Sequence, residues 1–340
     1  ARMITSSDDL AQRKALLASR DLSVPGNEDE ICGLFEDETL VATGSLVGNM
    51  LQGMAVAPGH DGEGLTAQLI TQLLEIGLRR YDNLRIFTKA SSAYAFIGLG
   101  FQLIMKTKAV ALLEWHSGMQ HAVDTLRAQT VEGQDNAGVI VMNANPFTLG
   151  HQWLAGQAAE KEQQVYVLVV EEDRSAFPFA VRFQLVKDGL AQFKNIKVIP
   201  SGPYVVSSAT FPAYFTRRSD LSATHSELDA SLFAKFIAPA LRAKTRYLGS
   251  EPFSPTTAIY NQVLRSILPS AGINVVELQR YACGPAAVSA SRVRKLLAEG
   301  NMEEALRLVP PTTAKWLTSP EALPCLEQLK VREDYHENHS

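Results

Sequence analysis

The chain of 340 residues exceeds the usual size of a single domain, so two domains are expected. Its formal net charge of −4 gives no electrostatic reason to expect a nucleic-acid or membrane partner. No apolar run approaches the roughly 20 residues that span a bilayer, and the first residues do not resemble a secretory signal. The 3 cysteines are too scattered for a disulfide framework or a metal site, so no metal site is predicted. These features predict a cytoplasmic protein.

Residues 1–115 are predicted to form a first α/β domain, followed by a linker over residues 116–136. The expected order is a helix (DDLAQRKALL), a hairpin turning at residues 36–38, a strand (NMLQGMAVAP), a helix (GLTAQLITQLLEIGLRRY), a strand (LRIFTKA), a short helix (SSAYAFIGLG) and one last strand (FQLIMKTKAVALLEW). The longer of the two inner helices has the clearest pattern, because Leu65, Leu69 and Leu73 lie on one stripe. The linker is predicted to contain a helix and a loop.

Residues 137–330 are predicted to form the second domain, and residues 331–340 a tail. Short apolar strands alternate there with helical segments; the strands are GVIVM, VYVLVV, IKVIP, RYLG and INVVEL. This alternation predicts a Rossmann-like parallel sheet with helices on both faces. The fold class is therefore α/β in both halves of the chain.

An unusual turn, NANPFTLGHQWLAG, follows the first of these strands. Ligands collect at the carboxyl ends of parallel strands, where the next helix presents free N–H groups. Thr148 is predicted to cap this helix, and Gly150 to let a ligand approach the backbone. His151 would then stand in the first turn, within reach of a bound anion. For this stretch alone, a capped helix with a satisfied histidine is the simpler interpretation.

A second stretch, GPAAVSASRVRKLLAEG, predicts another such helix after the strand INVVEL, with Ser289 or Ser291 as its cap. Arg292, Arg294 and Lys295 crowd the start of this helix, where acidic residues are normally favoured by about 0.3–1 kcal/mol each. Three cations at the positive end of a helix indicate a bound anion, although solvated side chains are an alternative. Two such helix starts in one sheet favour an anion-binding site.

Together, Thr148–His151 and Val288–Arg294 resemble the (T/H)-x-G-H and I-S-S/A-S/T-x-x-R motifs of a nucleotidyltransferase superfamily. The resemblance implies that ATP binds over the sheet, with Mg²⁺ on its phosphates, and that its α-phosphorus is attacked while pyrophosphate leaves. It implies catalytic roles for His151, Arg294 and an arginine after the second strand, for which EEDRSAFPFAVR offers Arg174 and Arg182. The implied ATP-binding residues are Asn145, Phe147 (through its backbone), Thr148, Gly150, His151, Gly249, Glu251, Ser289, Ser291 and Arg294.

Longer segments resemble the citrate lyase ligase family and cover nearly the whole chain; they are VVEEDRSAFPFAVRFQLVKDG, PYVVSSATFPAYFTRR, YLGSEPFSPTTAIYN and VSASRVRKLL. Ser250 stands where an acidic residue is expected. The resemblance implies an ATP-dependent ligase that joins acetate, through acetyl-adenylate, to the thiol of a dephospho-CoA-type prosthetic group. That group is carried by the acyl carrier subunit of citrate lyase. The alternatives are an adenylyltransferase acting on a small phosphorylated acceptor, and a GNAT acetyltransferase or CoA-binding module.

The second of these alternatives comes from the first domain, where VAPGHDGEGLTAQLI resembles the pyrophosphate-binding loop Q/R-x-x-G-x-G/A of GNAT acetyltransferases. Gly62 and Gly64 match this pattern, and Gly59 occupies the Q/R position. The resemblance implies a phosphate-binding loop, and we predict that these three glycines bind the phosphates of the CoA-type arm. The alternative is that the domain only packs as a lid or a dimer surface. Phe96 occupies the position of the usual general-acid tyrosine and cannot donate a proton, while Tyr94 is predicted to point elsewhere. The first domain is thus predicted to be a CoA-binding fold that has lost acetyl transfer.

Overall fold

The computed structural model describes residues 2–26, 28–171, 175–205, 221–250, 255–283 and 286–337. The chain divides into two compact units, residues 1–121 with 211–228, and residues 122–210 with 229–340. Among the described helices, none is both long and apolar enough to cross a membrane.

The first unit is built on a mixed sheet of seven strands in the order β1-β2-β3-β4-β5-β7-β6. The strands are β1 (Arg2–Met3), β2 (Glu30–Glu36), β3 (Thr39–Val47), β4 (Met50–Val56), β5 (Leu84–Lys89), β6 (Gln102–Lys106) and β7 (Val110–Trp115). The helices are α1 (Ser7–Ser19), α2 (Leu65–Gly77), α3 (Ala93–Gly98), which follows a 3₁₀ turn (Ala90–Ser92), and α4 (Gly118–Ala128), which runs into the second unit. The predicted hairpin and the predicted α2 are confirmed, and Leu65, Leu69 and Leu73 are buried against the sheet.

The prediction of one last strand in this unit is wrong, because FQLIMKTKAVALLEW folds as a hairpin of β6 and β7. The turn is closed by Thr107, whose N–H donates to the Val110 carbonyl at 2.8 Å and whose hydroxyl lies 3.3 Å from the Val110 nitrogen. A threonine turn of this kind has neither the glycine nor the proline that punctuates most turns. The sequence therefore reads as an uninterrupted strand.

The second unit contains a parallel sheet of five strands in the order β10-β9-β8-β11-β12. The strands are β8 (Ala137–Met142), β9 (Val165–Val169), β10 (Ile196–Pro200), β11 (Ala243–Gly249) and β12 (Asn274–Leu278), with a separate two-stranded ribbon of β13 (Ala282–Cys283) and β14 (Ala286–Ala287). Every residue of β9 is buried, as expected of a strand covered on both faces. The predicted parallel sheet is confirmed.

The helices of the second unit are α5 (Leu149–Ala159), α6 (Phe179–Leu190), α8 (Ala238–Ala240), α9 (Pro255–Ile267), α10 (Ala290–Ala298), α11 (Met302–Leu306), α12 (Pro311–Leu317) and α13 (Leu323–Glu337). Helix α7 (Leu221–Leu232) begins in the first unit and ends in the second. A π-helical segment (Phe233–Ile237) joins α7 to α8, and 3₁₀ turns occupy Leu268–Ala271 and Pro320–Ala322. The predicted tail from residue 331 begins inside α13.

The strand order fixes where a ligand can bind. From β8 the chain builds the sheet outward through β9 and β10, then returns to the other side of β8 and adds β11 and β12. The direction of winding therefore reverses between β8 and β11. Doubly wound sheets bind their ligands at this switch point, outside the carboxyl ends of the strands.

Candidate active site

A cavity of 520 Å³ opens at the switch point, beyond the carboxyl ends of β8 and β11. Its walls also include the starts of α5 and α10 and one face of α9. Within the described part of the chain, its lining contains three arginines, Arg246, Arg280 and Arg294, and no carboxylate. The volume suits a small molecule, and the charge of the walls favours an anion.

The start of α5 is held by a reciprocal pair of bonds between Thr148 and His151. The Thr148 hydroxyl accepts the His151 backbone N–H at 3.4 Å, and the His151 Nδ1 accepts the Thr148 backbone N–H at 3.1 Å. The Leu149 N–H is taken by the Leu308 carbonyl at 3.0 Å. Gly150, whose N–H has no acceptor within the helix, lines the cavity. Thr148 is thus the predicted cap, and it also orients the histidine.

These bonds fix the chemical state of His151. A backbone N–H always donates, so Nδ1 must be unprotonated and the ring proton sits on Nε2. Burial, together with the nearby Arg280 guanidinium, lowers the pKa of His151 from its ordinary value of 6.5 to about 4. The ring is therefore neutral at physiological pH and presents an N–H donor to the cavity that it lines.

Gly150 has a structural reason to be glycine that differs from the predicted one. The sequence predicts that the missing side chain makes room for a ligand. A β-carbon at this position would lie 3.1 Å from the Val288 carbonyl oxygen, which is backbone and cannot swing away. The missing side chain therefore makes room for the segment leading into α10, and so brings the two helix starts side by side.

The start of α10 is capped by Ser289, whose hydroxyl accepts the Arg292 N–H at 3.2 Å. The N–H groups of Ala290 and Ser291 lie at positions without an acceptor in the helix, and both residues line the cavity. Arg294 lies across the two helix starts: it donates to the Asn145 carbonyl at 2.6 Å and to the Ser291 hydroxyl at 3.3 Å. This guanidinium is therefore held in place before any ligand arrives.

Of the three cations predicted to face an anion at α10, only Arg294 lines the cavity. Lys295 is exposed and lies 3.7 Å from Glu299 one turn further along the helix. Arg292 lies outside the lining. The reason is helical geometry, because successive side chains are rotated by about 100° and neighbours in sequence cannot share a face.

Phe147 and Asn145 support the residues around the cavity through their own packing and hydrogen bonds. The Phe147 side chain is fully buried, lies outside the cavity lining, and stacks on the His151 ring with centroids 5.8 Å apart. It fills the space left by Gly189, where a β-carbon would overlap the phenyl ring. The Asn145 side chain accepts the Phe177 N–H at 3.0 Å, and this asparagine lines the cavity. Phe147 therefore positions His151.

Two of the predicted site residues, Arg174 and Glu251, lie outside the described residues, as does most of the segment PYVVSSATFPAYFTRR. The other arginine considered after β9, Arg182, is fully buried and ties together backbone carbonyls. It donates to Asn143 at 2.7 Å, Val170 at 3.0 Å and Phe177 at 2.9 Å. Arg182 therefore supports the loops around the cavity and does not line it.

Gly249 ends β11 and lines the cavity, and no atom lies within 4 Å of the position that its β-carbon would take. Arg280, which no motif in the sequence singled out, follows β12 and is oriented by Ser250. The Arg280 Nε–H donates to the Ser250 carbonyl at 2.8 Å, and the Arg280 backbone N–H donates to the Ser250 hydroxyl at 3.2 Å. Its position two residues after the end of the strand INVVEL is the signal that could have found Arg280.

In the first unit, Gly59, Gly62 and Gly64 have φ values of +96°, +90° and +77°, which only glycine adopts without strain. No atom lies within 4 Å of the positions that their β-carbons would take, so the loop is open to a ligand. Gly64 is the N-cap of α2 and offers no side-chain cap. Asp61, in the same loop, forms an ion pair with Arg20, whose Nη2 lies 2.7 Å from the carboxylate oxygen.

Beside this loop, β4 and β5 separate. Their parallel pairing is limited to Met50 with Arg85 and Leu51 with Ile86, although both strands continue. A cavity of 180 Å³ lies there, and Phe96 forms part of its wall. The Phe96 ring is buried, whereas Tyr94 is 74% exposed, in agreement with the prediction that Tyr94 points elsewhere.

A family model described as the citrate lyase ligase C-terminal domain matches residues 137–317. A citrate (pro-3S)-lyase ligase from Klebsiella pneumoniae is 38% identical over 82% of this chain and 84% of its own length. One from Escherichia coli K12 is 34% identical over 91% of this chain and 90% of its own length.

The similar solved structures include a bifunctional NMN adenylyltransferase/ADP ribose pyrophosphatase from Francisella tularensis, complexed with AMP and a manganese ion. It is 12% identical to this chain, with a TM-score of 0.36, and the match covers 59% of this chain and 53% of that chain. Escherichia coli ElaA is 13% identical, with a TM-score of 0.29 over 33% of this chain and 93% of that chain.

Proposed function

This chain belongs to the citrate lyase ligase family and is an enzyme of the ligase class, and we propose that it joins acetate to the thiol of the acyl carrier subunit of citrate lyase. ATP is the second substrate, and AMP and pyrophosphate are released. Three relatives that carry the name of this activity support the proposal, since they match 82%, 91% and 84% of the chain.

The observation that carries the proposal is the pair of helix starts beside one another at the switch point. A triphosphate needs several donors and positive charge along one edge. The N–H groups at Gly150, Ala290 and Ser291 supply the donors, and Arg280 and Arg294 supply the charge. These residues fit the phosphate chain of ATP. Mg²⁺ bound to phosphate oxygens would neutralise further charge.

Acetate needs activation because its carboxylate oxygen is a poor leaving group. One carboxylate oxygen attacks the α-phosphorus, and the bond to pyrophosphate breaks. The thiolate then attacks the carbonyl carbon of the acetyl-adenylate, and the bond to AMP breaks. His151 donates its Nε2–H to a phosphate oxygen on which charge develops, and Arg294 stabilises the same charge from the opposite helix start. As neutral donor and fixed cation, neither group has to exchange a proton during the reaction.

The first unit is assigned the prosthetic arm of the carrier. The open Gly59–Gly64 loop at the start of α2 offers backbone amides to the phosphates of a dephospho-CoA-type group. The proposed domain division is residues 1–115 for this fold, 116–136 for the linker, 137–330 for the adenylate-forming domain and 331–340 for the tail. Phe96 leaves the first unit without the usual proton donor of acetyl transfer, so its role is binding.

The reaction is tested with deacetylated citrate lyase, ATP, Mg²⁺ and acetate, by measuring the acetylated thiol and the AMP. The proposal predicts one AMP and one pyrophosphate for each acetylated thiol, and no AMP without acetate. Pyrophosphate release with a small phosphorylated acceptor in place of acetate would identify an adenylyltransferase. Transfer from acetyl-CoA to an amine without ATP would identify an acetyltransferase.

A further inference from the structure

Arg246, in the middle of β11, is a buried cation that the proposed chemistry has not used. It is only 2% exposed, and its guanidinium carbon lies 4.5 Å from the centre of the Phe233 ring. Its Nε and Nη1 atoms have no hydrogen-bond partner among the described residues. A guanidinium stays charged in proteins, and burying it without partners is costly. A bound anion would supply the partner that these two donors lack among the described residues.

Neighbouring side chains hold Arg246 in place but accept only some of the hydrogen bonds that its guanidinium can donate to described residues. Tyr260, on α9, is hydrogen-bonded to Arg246 and donates its hydroxyl to Asp229 at 2.6 Å. Burial and the Asp229 carboxylate raise the pKa of Tyr260 far above its ordinary value, so the hydroxyl keeps its proton. The chain from Asp229 through Tyr260 thus orients the guanidinium, and among the described residues it leaves Nε and Nη1 without an acceptor.

Arg246 and Tyr260 line the same cavity as His151 and Arg294. Arg246 lies three residues before the end of β11, and a strand rises about 3.3 Å per residue, so its α-carbon is about 10 Å below the carboxyl edge. The helix starts that suit a triphosphate lie at that edge. An arginine whose backbone lies this far from the edge suits a second, smaller anion, and a second anion in one cavity needs a cation of its own.

We propose that Arg246 binds the carboxylate of the acid substrate, a short-chain monocarboxylate, and holds it in the cavity beneath the nucleotide. This inference deepens the proposed function and rests on it. The guanidinium donates from Nε or Nη1 to a carboxylate oxygen, and Tyr260 keeps the guanidinium from turning away. Arg246 is then the residue that makes pyrophosphate release depend on the acid.

The test is the variant Arg246→Gln, which keeps much of the length of the side chain and removes its charge. Pyrophosphate–ATP exchange is measured at increasing acetate. Losing a hydrogen bond to a charged group should raise the apparent KM for acetate about tenfold to a hundredfold, while the KM for ATP stays within about threefold. Arg246→Lys, which keeps the charge, should recover part of the acetate affinity. The matched control is Arg307→Gln, at an exposed arginine paired with Glu303, and it should leave both constants unchanged.

An unchanged KM for acetate in Arg246→Gln, or a raised KM for ATP alone, would overturn the inference. If Arg246→Gln does not fold, the same comparison is made with Arg246→Lys, in which an unchanged KM for acetate overturns the inference equally. Binding without turnover is followed by NMR saturation transfer to acetate. Wild-type protein that binds acetate but does not exchange pyrophosphate would refute the proposed function alone. In that case, loss of saturation transfer in Arg246→Gln supports the inference, and its persistence overturns it.

Discussion

At the scale of single residues, the roles that depend on nearby positions in the chain could be predicted from the sequence, and those that depend on distant residues could not. Thr148 as a cap and His151 in the first turn could be predicted, because capping depends on residues three positions apart. The lowered pKa of His151 could not, since it depends first on burial of the ring and then on Arg280, which lies more than a hundred positions away in the chain. Arg246 was missed for the same reason: the fold alone shows that it lines the cavity beside the helix starts.

The proposed role of His151 predicts a larger effect of its mutation on turnover than on ATP binding. His151→Ala should lower kcat about 10²–10³-fold, the loss typical of removing one donor to developing charge. The KM for ATP should change only a few-fold, because the donor acts mainly in the transition state. Steady-state kinetics of the full reaction measure both constants. His121→Ala, at an exposed histidine, serves as the control, and full activity in a folded His151→Ala protein would remove His151 from the mechanism.

The lowered pKa of His151 predicts a pH-dependent contribution to stability. As the pH falls through 6.5, an unfolded chain binds a proton at this histidine, whereas the folded protein does so only near pH 4. The contribution is therefore complete above pH 6.5 and is lost between pH 6.5 and 4. The Tm of the wild type minus that of His151→Gln should shrink between pH 7.5 and 4.5. A constant difference would mean that His151 titrates in the folded protein at its ordinary value.

At the scale of elements, the parallel sheet could be predicted because each strand is a short apolar run separated by helical periodicity. The hairpin of β6 and β7 could not, because its turn contains no glycine or proline. The contact between the starts of α5 and α10 could not be predicted from the sequence either, because it depends on Gly150 lying against the Val288 carbonyl. The two motifs could be expected to share an edge of the sheet, but their direct packing required the structure.

The packing of α6 against the start of α5 predicts that Gly189→Ala destabilises the protein. The new β-carbon overlaps the Phe147 ring, which is fully buried and stacked on His151, so the ring has little room to move. Overpacking costs about 1–3 kcal/mol, more than the roughly 1 kcal/mol that alanine gains over glycine in a helix. Thermal unfolding should show a lower Tm. Gly98→Ala is also helical but has open space and should not lower it; an equal or higher Tm in Gly189→Ala would contradict this packing.

At the scale of the whole molecule, the chain combines a unit with an open glycine loop and a unit with a cavity whose lining includes three arginines. Their fold classes could be predicted from the order of helices and strands. The division of labour between them is a proposal about function, in which one unit holds the carrier arm and the other activates the acid. It predicts that the two half-reactions can be separated by mutation.

Gly62→Val is the variant that should separate the two half-reactions. Any side chain is strained at φ +90°, so the backbone of the loop must change. Because no atom lies within 4 Å of the position of the new β-carbon, the change is confined to the loop. Acetate-dependent pyrophosphate exchange should survive, whereas acetylation of the carrier thiol should fall through a raised KM for the carrier. Both half-reactions are assayed on the same preparation, with its Tm as a check on folding. Two normal half-reactions in a folded Gly62→Val protein would show that the arm binds elsewhere.

In the proposed reaction, acetate and ATP react in the cavity at the switch point before the carrier thiol takes part. The most direct measurement is the exchange of labelled pyrophosphate into ATP by the full-length protein without the carrier. If acetate and ATP react there, the exchange requires acetate, saturates with its concentration and falls about 10²–10³-fold in His151→Ala. Exchange that proceeds equally well without acetate, or that appears only when the carrier is added, would contradict it.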